Sequence, residues 1–145
     1  MSLWNRGGFQ WEEKNLTSWT KKFLEESFKS YEIKEEEIEL AVTEVVVDGF
    51  SIQNMRKGKK ICAWDMKVTL TLKGKAHDED IEATFKFTDV SEGVEDADDY
   101  EFTIDVKKPA PGTEVNKATR EILKKTGKTV FIGKMLEWYK AYRAK

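Results

Sequence analysis

The sequence predicts an α+β domain with an N-terminal helix, a four-stranded antiparallel meander and a long C-terminal helix packed on the sheet. Three observations predict it. Four runs of alternating apolar and polar residues follow one another through the middle of the chain, joined by short turns, which is the pattern of antiparallel strands with one wet face. Residues 17–29 and 114–142 instead space their apolar side chains at helical intervals. Finally, 145 residues, 39% hydrophobic, 36% charged and 12% aromatic, can build one sizeable core, yet they contain no apolar run near the ~20 residues of a membrane span. One domain, 1–145, is expected.

Residues 1–10 show no period, and Gly7-Gly8 makes them read as a flexible arm. Thr17 or Ser18 can cap a helix whose buried stripe is Trp19, Phe23, Leu24 and Phe28. Asn15-Leu16-Thr17 matches the glycosylation sequon, but without a secretory signal it reads as a helix entry. Tyr31 to Glu37 reads as a connection. The first strand runs from about 37 to 54. Its alternation through Ile38, Leu40 and Val42 is broken at Val45-Val46-Val47, which predicts a bulge near Glu44, and the apolar parity then resumes at Phe50 and Ile52.

The second strand alternates from Cys62 through Trp64, Met66, Val68 and Leu70 to Leu72. The third carries Ile81, Ala83, Phe85 and Phe87, and the fourth Tyr100, Phe102, Ile104 and Val106. His77-Asp78-Glu79-Asp80 has metal-ligand residue types, but packed this closely in a loop they read as solvated, and no metal site is assigned. Pro109 to Gly112 ends the sheet. Thr113 can cap the last helix, which should bend or break at Gly127.

Composition excludes several functions. One cysteine allows no internal disulfide, and with no signal sequence a cytoplasmic, monomeric protein is expected. A single His, a single Cys and no Gly-x-Ser-x-Gly elbow leave no nucleophile–base pair, so an enzyme is not expected. Gly127-Lys128-Thr129 ends like a phosphate-binding loop, but Ile122 stands where that motif needs its first glycine; no cofactor follows. Net charge is −2, unevenly spread: Ala76 to Asp105 holds twelve Asp and Glu against one Lys, Gly112 to Lys145 nine Lys and Arg against three Glu. Such a dipolar surface suits an oriented protein partner better than a nucleic-acid backbone.

Between the first two strands lies Asn54-Met55-Arg56-Lys57-Gly58-Lys59-Lys60. Four cations in five residues cannot be buried, and Gly58 supplies the positive φ a tight reversal commonly needs. Asn54, Arg56, Lys57, Gly58, Lys59 and Lys60 are therefore the candidate partner-binding residues, displayed on a hairpin tip. A nucleic-acid-binding domain using the same tip is the alternative, weakened by the acidic segment and by aromatics on core parities.

The Arg56-Lys57-Gly58-Lys59 turn, the strand with Trp64, the upstream Leu40-Ala41-Val42-Thr43-Glu44-Val45 and Asp48-Gly49, and Trp11-Glu12-Glu13-Lys14 with Trp19 resemble the N-terminal domain of the Aha-type co-chaperones. These activate the ATPase of the 90-kDa heat-shock chaperone. The resemblance implies that this chain binds that chaperone's middle segment, engages it through the basic tip, and remodels its catalytic loop to stimulate ATP turnover. It also implies a nucleotide-modulating arm, for which Asn5, Phe9 and Trp11 are the candidates; Asn5 and Trp11 match the ends of the family's Asn/Trp-rich motif, while Gly7, Gly8, Phe9 and Gln10 depart from it.

Overall fold

A single antiparallel sheet holds the chain together in the computed structural model, which describes residues 11–29, 31–35, 37–56, 58–76, 79–94, 96–110 and 112–145, the side chains of Trp11, Glu12 and Arg56 aside. In chain order the elements are β1 (Trp11–Asn15), α1 (Thr17–Phe28), β2 (Glu32–Glu35), β3 (Ile38–Arg56), β4 (Lys59–Ala76), β5 (Glu79–Ser91), β6 (Glu101–Lys108), α2 (Glu114–Ile122) and α3 (Lys128–Arg143). Strands β3 to β6 are the four of the predicted meander. The sheet nevertheless has six strands, not four: β2 pairs with the start of β3 and β1 with its end, both antiparallel. Their sequences, Trp-Glu-Glu-Lys-Asn and Glu-Ile-Lys-Glu, are too short and charged to alternate visibly, and backbone pairing to an existing strand is what makes them strands. The expected connection from Tyr31 to Glu37 thus contains β2.

The predicted bulge is present, with the β3–β4 register slipping between Val42 and Glu44. Its consequence runs further than the sequence reading took it. Before the bulge Ile38, Leu40 and Val42 face the core; after it the inward positions are Val47, Ser51 and Gln53, and Phe50 faces solvent with Ile52 half-buried. Phe50 and Ile52 were expected inward. Two polar side chains take that parity because the helices satisfy them. Ser51 Oγ lies 2.7 Å from Thr20 Oγ1, which also accepts from Trp138 Nε1 at 3.0 Å, and Gln53 Nε2 donates to the Tyr142 carbonyl.

All helices cover one face of the sheet. Leu24 and Phe28 of α1 and Phe131, Met135 and Trp138 of α3 are fully buried against Leu40, Leu70, Leu72, Phe85 and Phe87 of the strands. Phe131 sits at the centre, its ring 5.0 Å from Phe85 and 5.6 Å from Phe28. Burying such a ring contributes about 1.5–3 kcal/mol, and its truncation to Ala would cost about 3–5 kcal/mol with the cavity included.

Neither predicted residue caps α1. Asn15 Oδ1 accepts from the Thr17 amide at 3.0 Å, while Thr17 Oγ1 accepts from Ser51 N at 3.0 Å, fastening the helix start to β3. Thr113 does cap α2, accepting from Asn116 N at 3.2 Å. The C-terminal helix changes pitch where Gly127 predicted a bend: Leu123–Gly127 is a π-helical turn, whose extra residue keeps Leu123, Gly127 and Phe131 on the core side. Asn116 Nδ2 and Arg120 Nη1 donate to the Val106 and Ile104 carbonyls, covering part of the β6 edge.

Candidate functional site

The β3–β4 pairing runs without interruption from Glu44–Thr71 to Arg56–Lys59, and Gly58 stands directly before the returning strand. Gly58 has φ +77°, and nothing lies within 4 Å of where a Cβ would stand; glycine is required there by backbone conformation rather than by space. Lys59 and Lys60 are exposed beside it, as the sequence predicts for a hairpin tip. Lys60 Nζ donates to the Arg143 carbonyl at 3.0 Å, so one of the cations also braces the end of α3. Asn54 is half-buried opposite Ile61 and Glu13, with its Oδ1 buried and unpartnered. Lys57 and the side chain of Arg56 lie outside the described residues; the Arg56 backbone stands in register with Lys59 and Trp11.

That last register relates two candidate regions. Asn5 and Phe9 lie outside the described residues, but Trp11, where the arm enters the fold, is paired with the tip of the hairpin. Trp11 and the tip are neighbours, which their separation of 45 positions in the chain did not reveal.

One feature of the surface was missed. The open sheet face beside the tip exposes Phe50 (45%), Ile61 (49%) and Val46 (38%), with Ile52 and Ala63 half-buried between the first two. The register sets Ile52 against Ala63 and Asn54 against Ile61, making one apolar strip that leads to Lys59. The signal was in the sequence: carrying the parity shift of Val45-Val46-Val47 forward by even steps turns Phe50 outward, and Ile61 is out of parity with Cys62 and Trp64.

Beneath the strip, on the core side, sits an aromatic cluster. The Trp138 and Tyr142 rings stack at 5.0 Å, and Trp64 meets Tyr142 edge-on at 5.6 Å. The Tyr142 hydroxyl donates to the carbonyls of Ile52 and Ala63, one on each strand of the hairpin. Burial raises the Tyr142 phenol well above its ordinary value, and burial raises Tyr100 likewise. Cys62, expected to be buried, is half-buried and packs against this core.

The other end of the open face is different. Lys34, Glu39, Lys75 and Asp80 form one row across four strands, and Lys73, Glu82 and Lys108 a shorter one across three, with signs alternating strand by strand. Shallow depressions of about 420 and 220 Å³ there are lined by the same residues. Among the described residues no group of three or more His, Cys, Asp or Glu could hold a metal; His77 and Asp78 lie outside them. Gly127-Lys128-Thr129 lies within the C-terminal helical run, where it forms no phosphate-binding loop.

Fold and surface together define an α+β domain with a hairpin that exposes Lys59 and Lys60 beside an apolar strip. The family profile described as "Activator of Hsp90 ATPase, N-terminal" matches residues 13–145, and the chain belongs to that co-chaperone family. Among solved structures it is similar to Aha-1 of Plasmodium falciparum, at 19% identity and a TM-score of 0.73 over 89% of this chain and 86% of that one. It is similar also to the human Aha1 N-terminal domain, at 22% identity and a TM-score of 0.67 over 90% and 94%. No curated protein matches the chain significantly.

Proposed function

We propose that this domain docks on the middle segment of Hsp90 and stimulates its ATPase by stabilising the conformation in which the catalytic loop reaches the bound nucleotide. The observation that carries the reading is the unbroken register to Arg56–Lys59 around Gly58, which supports a display of Lys59 and Lys60 on a stiff stalk, with Arg56 and Lys57 at the same tip. The cations supply charge-assisted hydrogen bonds to groups exposed only after the loop moves, and the Phe50–Ile61 strip supplies apolar burial beside them. Activation is then population shift: each tenfold preference for the competent state is worth about 1.4 kcal/mol. The domain has no catalytic role of its own in this reading. In this reading it acts as a cytoplasmic monomer; among the described residues no helix is long and apolar enough to cross a membrane.

The test is the chaperone's ATP turnover with and without the domain. Arg56→Ala with Lys57→Ala should abolish stimulation and leave the melting temperature within about 2 °C, because exposed turn side chains contribute little to folding. Full stimulation by the folded double variant would refute the mechanism.

A further inference from the structure

The hairpin does more than end the sheet; it leaves it. β4 pairs with β5 only from Asp65 onward, so residues 59–64 lie beyond the meander, with β3 beside them and the short β1 beyond that. Only three strands are paired there, and such a ribbon depends on what packs against its apolar face. At the boundary, on the core face, stands the last turn of α3. The Tyr142 hydroxyl bonds the carbonyls of Ile52 and Ala63, which are directly paired, and Gln53 Nε2 bonds the Tyr142 carbonyl. Both side chains are buried, Tyr142 at 0% and Gln53 at 2% exposure. Lys60 reaches the next carbonyl, that of Arg143.

We infer that Tyr142 and Gln53 are positioning residues for the docking tip: the C-terminal turn of α3 clasps both strands of the hairpin where it leaves the sheet, and thereby sets the direction in which the tip points. The inference rests on the proposed role of the tip. Its physical basis is leverage. From the Ile52–Ala63 pair to the Arg56–Lys59 pair is four residues, about 13 Å, so a 10° rotation at the clasp moves the tip by roughly 2 Å. A misplacement of that size is enough to separate charge-assisted hydrogen bonds from their acceptors. The core packing of α3 against the sheet does not require these bonds, because the Trp138–Tyr142 stack and the Trp64 contact involve the ring and not the hydroxyl. The tip would then be ordered before it meets its partner, and the ordering cost would not fall on binding.

The decisive variant is Tyr142→Phe, which keeps the ring and removes the hydroxyl; Gln53→Met, which keeps the length and removes the donor, is the second. Amide hydrogen exchange of the isolated domain is the first readout. Residues 53–62 should exchange at least fivefold faster in either variant while 66–72 in the centre of β4 change less than twofold. A purely structural role would raise exchange through the whole domain, and that result, or unchanged exchange at 53–62, overturns the inference. The second readout is chaperone ATPase against domain concentration. The half-saturating concentration should rise about fivefold and the plateau should be recovered at saturation; an unchanged half-saturating concentration overturns the link to docking. If the unaltered domain stimulates no ATPase at all, the functional reading falls, and the exchange measurement still decides whether the clasp orders the tip.

Discussion

The two ends of the sheet's open face are built from the same strands, β3 and β4, and they present opposite surfaces. At the far end charges lie in rows of alternating sign, Lys34–Glu39–Lys75–Asp80 being the clearest, so each side chain has its opposite number on the next strand. At the tip end no such row forms. Phe50, Ile61 and Val46 stand exposed, and Lys59 and Lys60 follow them. At the far end the register sets opposite charges against each other on neighbouring strands, an arrangement that stabilises a sheet by about 0.2–1 kcal/mol per pair. The tip end differs: apart from the Lys60 bond to the Arg143 carbonyl, its exposed apolar side chains and Lys59 face solvent, and in the proposed function this is the surface that a partner covers.

The sharpest way to break this comparison is at the strip. Phe50→Ser with Ile61→Ser should raise the half-saturating concentration for ATPase stimulation at least tenfold, about 1.4 kcal/mol, while the domain melts within 3 °C of the unaltered protein. Unchanged concentration dependence would mean that the tip acts by its charges alone. A smaller effect is expected from salt. Raising ionic strength from about 0.05 to 0.3 M should weaken docking several-fold, because the cations gain from attraction whose screening length falls from roughly 14 to 6 Å over that range. Calorimetric titration at three salt concentrations would measure the slope, and a flat response would assign docking to the apolar strip.

At the far end the sign of the expectation reverses. Lys75→Glu places like charges against both Glu39 and Asp80 and should cost about 1 kcal/mol of stability, read as a lower melting temperature, with ATPase stimulation unchanged. Lost stimulation by a folded variant would show that this end also takes part. The last expectation concerns the support beneath the tip. Burial raises the phenols of Tyr142 and Tyr100 above the ordinary value of about 10, so the folded chain holds protons that the unfolded chain releases. Their contribution is complete below about pH 10 and declines as pH rises beyond it, by at most about 1.4 kcal/mol per unit for each phenol. Denaturant unfolding at pH 9 and pH 11 tests this. Tyr142→Phe should lose about half of the alkaline sensitivity, and an undiminished slope would place its origin elsewhere.

Much of the architecture was legible because it rests on local patterning. The four meander strands, the bulge after Val42, the Thr113 cap and the irregularity at Gly127 each leave a mark within a few residues: a period, a broken parity, a capping side chain, a residue without a Cβ. The edge strands left none. Glu32–Glu35 and Trp11–Asn15 contain one apolar residue each and are strands only because β3 offers them a backbone to pair with. The start of α1 was not legible either: the N-cap position is Leu16, which has no capping side chain, and Thr17, the better candidate by type, is drawn away to the Ser51 amide, 34 positions distant.

By itself, then, the sequence determined which segments alternate, where the chain turns, and that Lys59 and Lys60 stand exposed beside Gly58, because period, glycine and uncompensated charge act over a few residues. Only the tertiary structure decided which face of the hairpin is wet beyond the bulge, that Phe50 and Ile61 meet across two strands, that Trp11 joins the tip, and that Tyr142 holds the stalk from 90 residues away in the chain. Those outcomes depend on register and on packing between elements far apart in sequence. A one-residue slip in pairing would turn every β3 side chain to the other face, and nothing in the local composition records which alignment wins until both strands and the helix across them are in place.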